Sequence, residues 1–224
     1  MATIKPVLVV IAGPNGSGKT EITKALQSNY PEWTKNLVEV NPDVIAQEQF
    51  GSWNDPASIR KAAQRADEIR EECLKEHQGL LFETVLSIPE KVDFIRRAKE
   101  AGFFIRLVYV ATENPEINML RIAWRVEQGG HTVPEDKIRA RYERSLKLSL
   151  ETARIVDRAY FIDNSREISD ESRIEAHPIF RMVNGKIAKT YLPEEDLPEW
   201  INPIYQGILS DSKSLQAAPP QSQP

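Results

Sequence analysis

Cysteine and long apolar runs are scarce in this sequence, and each absence excludes a class of protein. The 224 residues include a single cysteine, Cys73, so no internal disulfide is predicted and a reducing, cytoplasmic location is expected. The longest apolar run, residues 7–12, has six residues, whereas a membrane-spanning helix needs about 20. No small-residue cleavage site follows that run, so we predict neither a membrane span nor a signal peptide.

An excess of positive charge is also absent. The chain has 29 Lys and Arg against 33 Asp and Glu, a net charge of −4, which argues against binding duplex nucleic acid through its overall field. Glycine is sparse, yet three of the 10 glycines, Gly13, Gly16 and Gly18, lie within six residues. With 41% hydrophobic and 28% charged residues the composition is that of an ordinary globular protein, and the length predicts one domain.

Hydrophobic periodicity predicts strands that alternate with helices over residues 7–163. The predicted strands are 7–12, 37–40, 80–86, 103–111 and 160–162, and the predicted helices are 19–29, 56–76, 89–101, 115–128 and about 132–157. This order is typical of an α/β three-layer sandwich built on a parallel sheet.

The pattern changes past residue 170. Residues 179–183 and 186–191 flank Asn184-Gly185, which favours a type I′ β-hairpin. Residues 210–224 lack apolar periodicity and are predicted to form a disordered tail. We therefore divide the chain into a core at 1–170 with a helical lid at about 121–157, a C-terminal hairpin and extension of the same domain at 171–209, and the tail.

The strongest motif follows the first predicted strand. It reads Gly13-Pro14-Asn15-Gly16-Ser17-Gly18-Lys19-Thr20 and fits the phosphate-binding pattern G-x-x-x-x-G-K-[ST]. The glycines let successive backbone N–H groups point at phosphate oxygens, and the following helix presents its positive N-terminus to the same anion. Lys19 is predicted to reach the β- and γ-phosphates of a nucleotide, and the Thr20 hydroxyl to ligate Mg²⁺.

Motifs of other nucleotide-binding classes are missing. A motor or transporter ATPase would carry an apolar strand ending in Asp-Glu, but the fourth strand ends Val110-Ala111-Thr112-Glu113. The Asn-Lys-x-Asp base reader of GTPases is absent as well. Small-molecule kinases are the large class that remains, and they place acceptor-binding residues at the strand ends and arginines over the phosphates.

Two carboxylates are candidates for the acceptor side. Asp43 follows the second strand, where it could accept a proton from an attacking hydroxyl. Alternatively, Asn41 is an N-cap and Asp43 a favourable charge in the first helical turn. Glu83 lies among apolar strand residues, where a carboxylate is costly unless it is paired, so we predict that it binds the acceptor, or Mg²⁺ through water; exposure at the strand end is the alternative.

Arginines mark the candidate lid. Arg121 and Arg125 share one helix face, as do Arg141 and Arg144, and Gly129-Gly130-His131 lies between the two pairs. Cations brought over a triphosphate would neutralise charge on the transferred group. We favour Arg125, Arg141 and Arg144 for this role, the alternative for each being a solvated helix face, and we interpret His131 as a loop residue rather than a catalyst. Asp163-Asn164-Ser165 follows the fifth strand and is a candidate adenine site or a simple polar turn.

Together these motifs resemble the zeta-toxin-like P-loop kinases, in the branch described as predicted ATPases or kinases. The match covers about residues 7–165. Besides the phosphate-binding loop it rests on Asn41-Pro42-Asp43, Phe82-Glu83-Thr84, residues 125–134, Arg141-Tyr142-Glu143-Arg144-Ser145 and Asp163-Asn164-Ser165.

The resemblance implies a five-stranded parallel sheet of adenylate-kinase type and ATP with Mg²⁺ as cofactors. It also implies Asp43 as catalytic base, Glu83 in acceptor binding and lid arginines on the phosphates. We add Thr84 as a further candidate on the acceptor and Asn164 as a candidate at the nucleotide. The characterised toxins of this family phosphorylate UDP-N-acetylglucosamine. This chain is shorter than those toxins and reads Glu83-Thr84-Val85 where they have Glu-Gly-Thr, so the acceptor pocket does not carry over in detail.

We therefore predict an ATP-dependent phosphotransferase that acts on a hydroxyl of a small metabolite, with a UDP-amino sugar as one candidate. The alternative is a nucleotide-dependent binding module or ATPase with a macromolecular partner and no small-molecule acceptor. A polynucleotide kinase is disfavoured by the net charge. The resemblance leaves toxicity and an antitoxin protein partner open.

Overall fold

The computed structural model of the protein describes residues 5–51, 55–129, 133–165 and 176–217. The strands are β1 (Val7–Ala12), β2 (Val38–Val40), β3 (Leu80–Thr84), β4 (Phe104–Ala111), β5 (Arg158–Asp163), β6 (His177–Val183) and β7 (Lys186–Thr190). The helices are α1 (Lys19–Asn29), α2 (Pro31–Thr34), α3 (Pro42–Phe50), α4 (Pro56–Glu76), α5 (Pro89–Glu100), α6 (Pro115–Glu127), α7 (Glu135–Ile155) and α8 (Asn202–Ala217). Short 3₁₀ turns lie at Glu194–Asp196 and Glu199–Ile201.

All seven strands form one sheet in the order β2-β3-β1-β4-β5-β6-β7. The pairs from β2 to β5 are parallel, as the alternating pattern predicts. The expectation of a five-stranded sheet is wrong in extent, because β6 pairs antiparallel with β5, and β7 antiparallel with β6. The buried side chains of Ile179, Phe180 and Met182 attach the hairpin to the core, so it extends the sheet instead of standing apart.

Helices cover both faces of the sheet, which gives the three predicted layers. α4, α5, α7 and α8 contribute buried side chains to the larger apolar cluster, and α1 packs on the smaller one. The five parallel strands end at one edge, where the loops after β1, β2, β3 and β5 meet. Ligands bind at this edge in open parallel sheets, so it is the place to look for the predicted site.

The C-terminal residues depart from the prediction. α8 continues to Ala217, so the expected disordered tail is wrong for residues 210–217, and residues 218–224 lie outside the described part of the chain. Ile204, Tyr205 and Ile208 bury one face of α8, and an ion pair of 2.7 Å between Arg154 and Asp211 adds a second attachment. Among the described helices, none combines the length and apolar character that crossing a membrane requires.

Candidate active site

The phosphate-binding loop joins β1 to α1 and is wedged against the ends of β4 and β5. Gly13 has a φ of 151°, and a Cβ atom there would lie 1.9 Å from the carbonyl oxygen of Val110. Gly18 has a φ of 91°, and a Cβ atom there would lie 2.3 Å from Nδ2 of Asn164. Both separations are far shorter than van der Waals contact, so these two positions require glycine.

Asn164, which directly follows β5, holds the phosphate-binding loop in place. Its Nδ2 donates to the carbonyl oxygen of Ser17 at 2.9 Å, and its backbone N–H donates to the carbonyl oxygen of Ala111 at 2.8 Å. The residue is 8% exposed. The structure therefore places Asn164 beside the loop, with its amide nitrogen engaged by the loop backbone; its predicted contact with adenine stays a prediction.

The loop keeps unused hydrogen-bonding capacity. The Ser17 hydroxyl is fully buried and has no hydrogen-bond partner among the residues that the structure describes. Buried polar groups in native proteins are nearly always paired. A donor left over in a glycine-lined concavity at a helix N-terminus fits a bound phosphate anion.

Lys19 extends back over the loop. Its Nζ donates to the carbonyl oxygens of Gly13 at 3.0 Å and Pro14 at 2.9 Å. Burial lowers the pKa of the ammonium group to about 8, against the opposing effect of the Glu83 carboxylate, and the charge of Arg125 lowers it further. The Lys19 ammonium group is thus partly desolvated, which favours the binding of an anion beside it.

Glu83, at the end of β3, contacts α1. Its Oε2 accepts from the Thr20 hydroxyl at 3.0 Å, and its Oε1 accepts from the Thr23 hydroxyl at 2.7 Å. The structure therefore brings Glu83 together with the predicted Mg²⁺ ligand. Sequence reasoning did not single out Thr23, although its spacing of three residues from Thr20 on one helix face is a usable signal.

The Thr84 hydroxyl is used within the chain. Its Oγ1 accepts from the backbone N–H of Leu86 at 3.0 Å, and its carbonyl oxygen accepts from the N–H of Gly13 at 3.2 Å. Thr84 thus shapes the end of β3 and supports the first residue of the loop. Its predicted contact with an acceptor stays a prediction.

Asp43 lies in the first turn of α3. Its backbone N–H donates to Oδ1 of the N-cap residue Asn41 at 3.0 Å, so the helix-start interpretation is correct for the local structure. Its carboxylate is exposed, and its negative charge raises the pKa of Lys19. A residue at the first turn of α3 therefore also acts on the phosphate-binding loop, and the two interpretations are compatible.

The arginines fall into two groups. Arg125 on α6 is exposed, and its charge reaches Lys19. Arg121, one turn earlier, is half-buried; desolvation lowers its pKa while the charges of Asp163 and Glu21 oppose that effect. Both arginines of α6 thus lie within electrostatic range of residues around the loop.

The other two arginines lie on α7. Arg141 is partly buried, and the Nε of Arg144 donates to the carbonyl oxygen of Ser87 at 3.2 Å. α7 is itself fastened to the sheet, because the Tyr142 hydroxyl donates to the carbonyl oxygen of Thr112 at 2.5 Å and Oγ of Ser145 to that of Val85 at 2.6 Å. The predicted lid of 121–157 is therefore too long, since α7 from Tyr142 onward belongs to the core. His131 lies outside the described residues.

A divalent cation would find only part of its ligand shell in the protein. Within the described ranges there is no group of three or more His, Cys, Asp or Glu side chains placed to hold a metal ion. Mg²⁺ in nucleotide sites commonly takes one or two protein oxygens and fills its octahedron with phosphate oxygens and water. The Thr20 hydroxyl beside Glu83 fits that mode of binding.

Comparison with known proteins gives a family match. The family model described as zeta toxin matches residues 1–178. An uncharacterised protein of Haemophilus influenzae is 31% identical over 134 residues, which are 60% of this chain and 91% of that protein.

Solved structures show the same fold at low identity. A structure from a study of the PezAT toxin–antitoxin system of Streptococcus pneumoniae has a TM-score of 0.58 at 16% identity and covers 97% of this chain and 90% of that one. AvrRxo1-ORF1:AvrRxo1-ORF2 complexes solved with sulphate ions and with ATP have TM-scores of 0.62 and 0.58 at 16% and 15% identity. Both cover 91% of this chain, which spans only 63% of the matched chain.

Proposed function

Since this chain belongs to the zeta toxin family, we propose that it is an ATP-dependent phosphotransferase that moves the γ-phosphate of ATP to a hydroxyl of a small metabolite. One observation carries the proposal. A complete phosphate-binding loop, with Lys19 bonded to two of its carbonyl oxygens, lies at the same edge of the sheet as Asp43, which follows β2 and whose negative charge raises the pKa of Lys19. A phosphate-binding loop and a carboxylate that could accept a proton at the same edge of the sheet support the proposal, because phosphoryl transfer to an alcohol requires both.

The loop and Lys19 are the nucleotide-binding part. Backbone N–H groups of residues 13–20 would surround the phosphates at the N-terminus of α1, and the Lys19 ammonium would leave the carbonyl oxygens of Gly13 and Pro14 for the β- and γ-phosphate oxygens. Thr20 would hold Mg²⁺, which would offset negative charge on the phosphate groups.

Asp43 is the proposed general base. Its exposed carboxylate takes the proton of the acceptor hydroxyl as the oxygen forms a bond to the γ-phosphorus and the bond to the β–γ bridging oxygen breaks, with ADP as the leaving group. Arg125, with Arg141 and Arg144 from α7, would offset the charge that spreads over the transferred phosphoryl group.

The acceptor class is the finer part of the proposal. A UDP-amino sugar such as UDP-N-acetylglucosamine is the candidate that family membership favours, and the exposed carboxylate of Asp43 leaves room for a hydroxylated ligand. An antitoxin partner is proposed on the same ground: one structural neighbour comes from a toxin–antitoxin study and others are two-protein complexes. The cytoplasmic location stays a prediction.

Incubation with γ-labelled ATP, Mg²⁺ and a panel of UDP-sugars and cell metabolites, with the labelled product identified by mass, tests the proposal. Asp43→Asn should abolish transfer and leave ATP affinity nearly unchanged, because the amide cannot accept the proton but keeps the shape of the residue. Asp196→Asn, an exposed carboxylate in a 3₁₀ turn of the C-terminal extension, is the matched control. Undiminished turnover in Asp43→Asn would remove Asp43 from the role of base, and ATP binding without transfer to any compound would favour a binding module.

A further inference from the structure

The hydroxyl of Thr20 is oriented by the carboxylate that it contacts. A threonine hydroxyl has one proton to donate and two lone pairs with which to accept or to ligate. Because the Thr20 hydroxyl donates its hydrogen bond to Oε2 of Glu83 at 3.0 Å, both lone pairs of its oxygen remain available on the side away from Glu83. A carboxylate that accepts a hydrogen bond from a metal ligand in this way orients the ligand's lone pairs toward the cation.

Glu83 is itself held by a second hydroxyl. Thr23 is 3% exposed, and its Oγ1 lies 2.7 Å from Oε1 of Glu83 and 3.1 Å from the carbonyl oxygen of Lys19. The single hydroxyl proton can be given fully to one of these acceptors. The contact with the carboxylate is shorter and charge-assisted, so the Thr23 hydroxyl donates its hydrogen bond to Glu83.

The two contacts use different oxygens of one carboxylate. Thr20 and Thr23 are three residues apart on α1 and face the same side of the helix, so together they fix the position of the carboxylate and the rotation of its plane. Loss of the Thr23 contact would leave Glu83 free to rotate about the remaining bond, and Thr20 would lose its fixed orientation.

We propose that Thr23 is a positioning residue for the divalent cation: it holds Glu83, and Glu83 turns the lone pairs of Thr20 toward the cation beside the phosphates. The inference rests on the proposed nucleotide-binding function and deepens it. Of the two roles that the sequence predicts for Glu83, the acceptor or Mg²⁺ through water, it favours the cation.

The test compares ADP affinity with and without Mg²⁺ by titration calorimetry, which needs no acceptor and no turnover. In the wild-type chain Mg²⁺ should strengthen ADP binding. In Thr23→Val that enhancement should fall by about tenfold, the lower end of what loss of a residue behind a metal ligand costs, while metal-free ADP binding stays within about twofold. Thr23→Ser keeps the hydroxyl and should restore the enhancement.

Thr152→Val is the matched control. Thr152 is fully buried in α7 and donates to the carbonyl oxygen of Leu148 at 2.7 Å, so its replacement removes a buried helix hydroxyl that makes no contact with Glu83. Its loss should leave the Mg²⁺ enhancement unchanged. The proposal is overturned if Thr23→Val keeps the wild-type enhancement, or if Thr152→Val loses as much. A wild-type chain that binds ADP neither with nor without Mg²⁺ would overturn the proposed function itself, and the inference with it.

Discussion

The phosphate-binding loop depends on the ammonium group of Lys19. It is partly desolvated and bonded to two carbonyl oxygens of the loop, and its pKa lies near 8, whereas an ordinary lysine has a pKa of about 10.4. A phosphate beside it supplies negative charge and favours the protonated form. Nucleotide binding is therefore coupled to proton uptake wherever free Lys19 is partly deprotonated.

The sign of this coupling gives a pH dependence. Well below pH 8 Lys19 is charged and binding takes up little proton at this group, whereas at pH 8.5 much of it is neutral and must be protonated. We expect ADP affinity to fall as pH rises through 8. Calorimetry at pH 8.5 in two buffers with different ionisation enthalpies should show uptake of up to about one proton per ADP.

Lys19→Arg separates this effect from other titrations. Arginine keeps its charge across the range, so the variant should bind without proton uptake at pH 8.5. Identical binding heats of the wild-type chain in the two buffers would contradict the coupling.

Among the elements, α7 is a core helix that carries two candidate site arginines. The Tyr142 hydroxyl bonds to the carbonyl oxygen of Thr112 in a buried place, and burial raises the pKa of this tyrosine. Arg141 and Arg144 lie close to Tyr142 in sequence, so the packing of α7 against the sheet determines where these two side chains are placed. Any movement over the phosphates belongs to the segment before Tyr142 and not to the whole of α7.

Removing that hydroxyl measures the docking. Tyr142→Phe leaves the Thr112 carbonyl oxygen without its partner and should lower the free energy of unfolding by about 1–3 kcal/mol, measured by urea denaturation. Tyr160→Phe keeps the ring that packs against Trp33 and should change stability by less than about 0.5 kcal/mol. Equal losses in the two variants would show that the Tyr142 hydroxyl does not hold the helix.

Strands, loops and turns could be predicted where a single strong sequence pattern spans only a few neighbouring residues. The apolar run of β1, the glycine loop and the Asn184-Gly185 turn have such signals, and all three form as predicted. α3 was interpreted only as a helix start, because its nine residues carry little amphipathic pattern beyond Asn41 and Pro42. Sequence reasoning did not predict α8, which is held by the buried side chains of Ile204, Tyr205 and Ile208 and by the ion pair of Asp211 with Arg154 in another helix; no local pattern reveals such distant contacts.

At the scale of the whole molecule, the C-terminal extension is joined to the active-site edge. Nε1 of Trp200 donates to Oδ1 of the buried Asp163 at 2.9 Å, and the backbone N–H of Glu199 donates to Oε1 of Glu113 at 2.9 Å. Asp163 precedes Asn164, which fastens the phosphate-binding loop. The extension therefore supports the loop through Asp163, the last residue of β5, and Asn164, which follows it.

Trp200→Phe tests this support. The variant keeps an aromatic ring but leaves the buried Asp163 carboxylate with one donor fewer, which should cost about 1.5–3 kcal/mol of unfolding free energy and weaken ADP binding. Trp124→Phe is the control, since Trp124 is 64% exposed and its replacement should change stability by less than about 0.5 kcal/mol. Matching urea midpoints for the two variants would contradict a structural role of the bond.

The candidate site was predictable to the extent that its parts lie in contiguous motifs. Lys19, Thr20 and Asp43 could be named because each stands at a strand end or helix start that the pattern locates. The bond from Thr23 to Glu83 and that from Trp200 to Asp163 join segments 60 and 37 residues apart, and only the folded sheet brings them together. Contacts of this kind depend on strand order, which periodicity does not determine.

The bond between Asn164 and Ser17 spans 147 residues, so during synthesis the glycine loop is made long before the side chain that fastens it. Trp200, whose indole bonds to Asp163 beside Asn164, is made later still. A nascent or prematurely terminated chain ending before residue 164 carries the nucleotide-binding motif without its anchor.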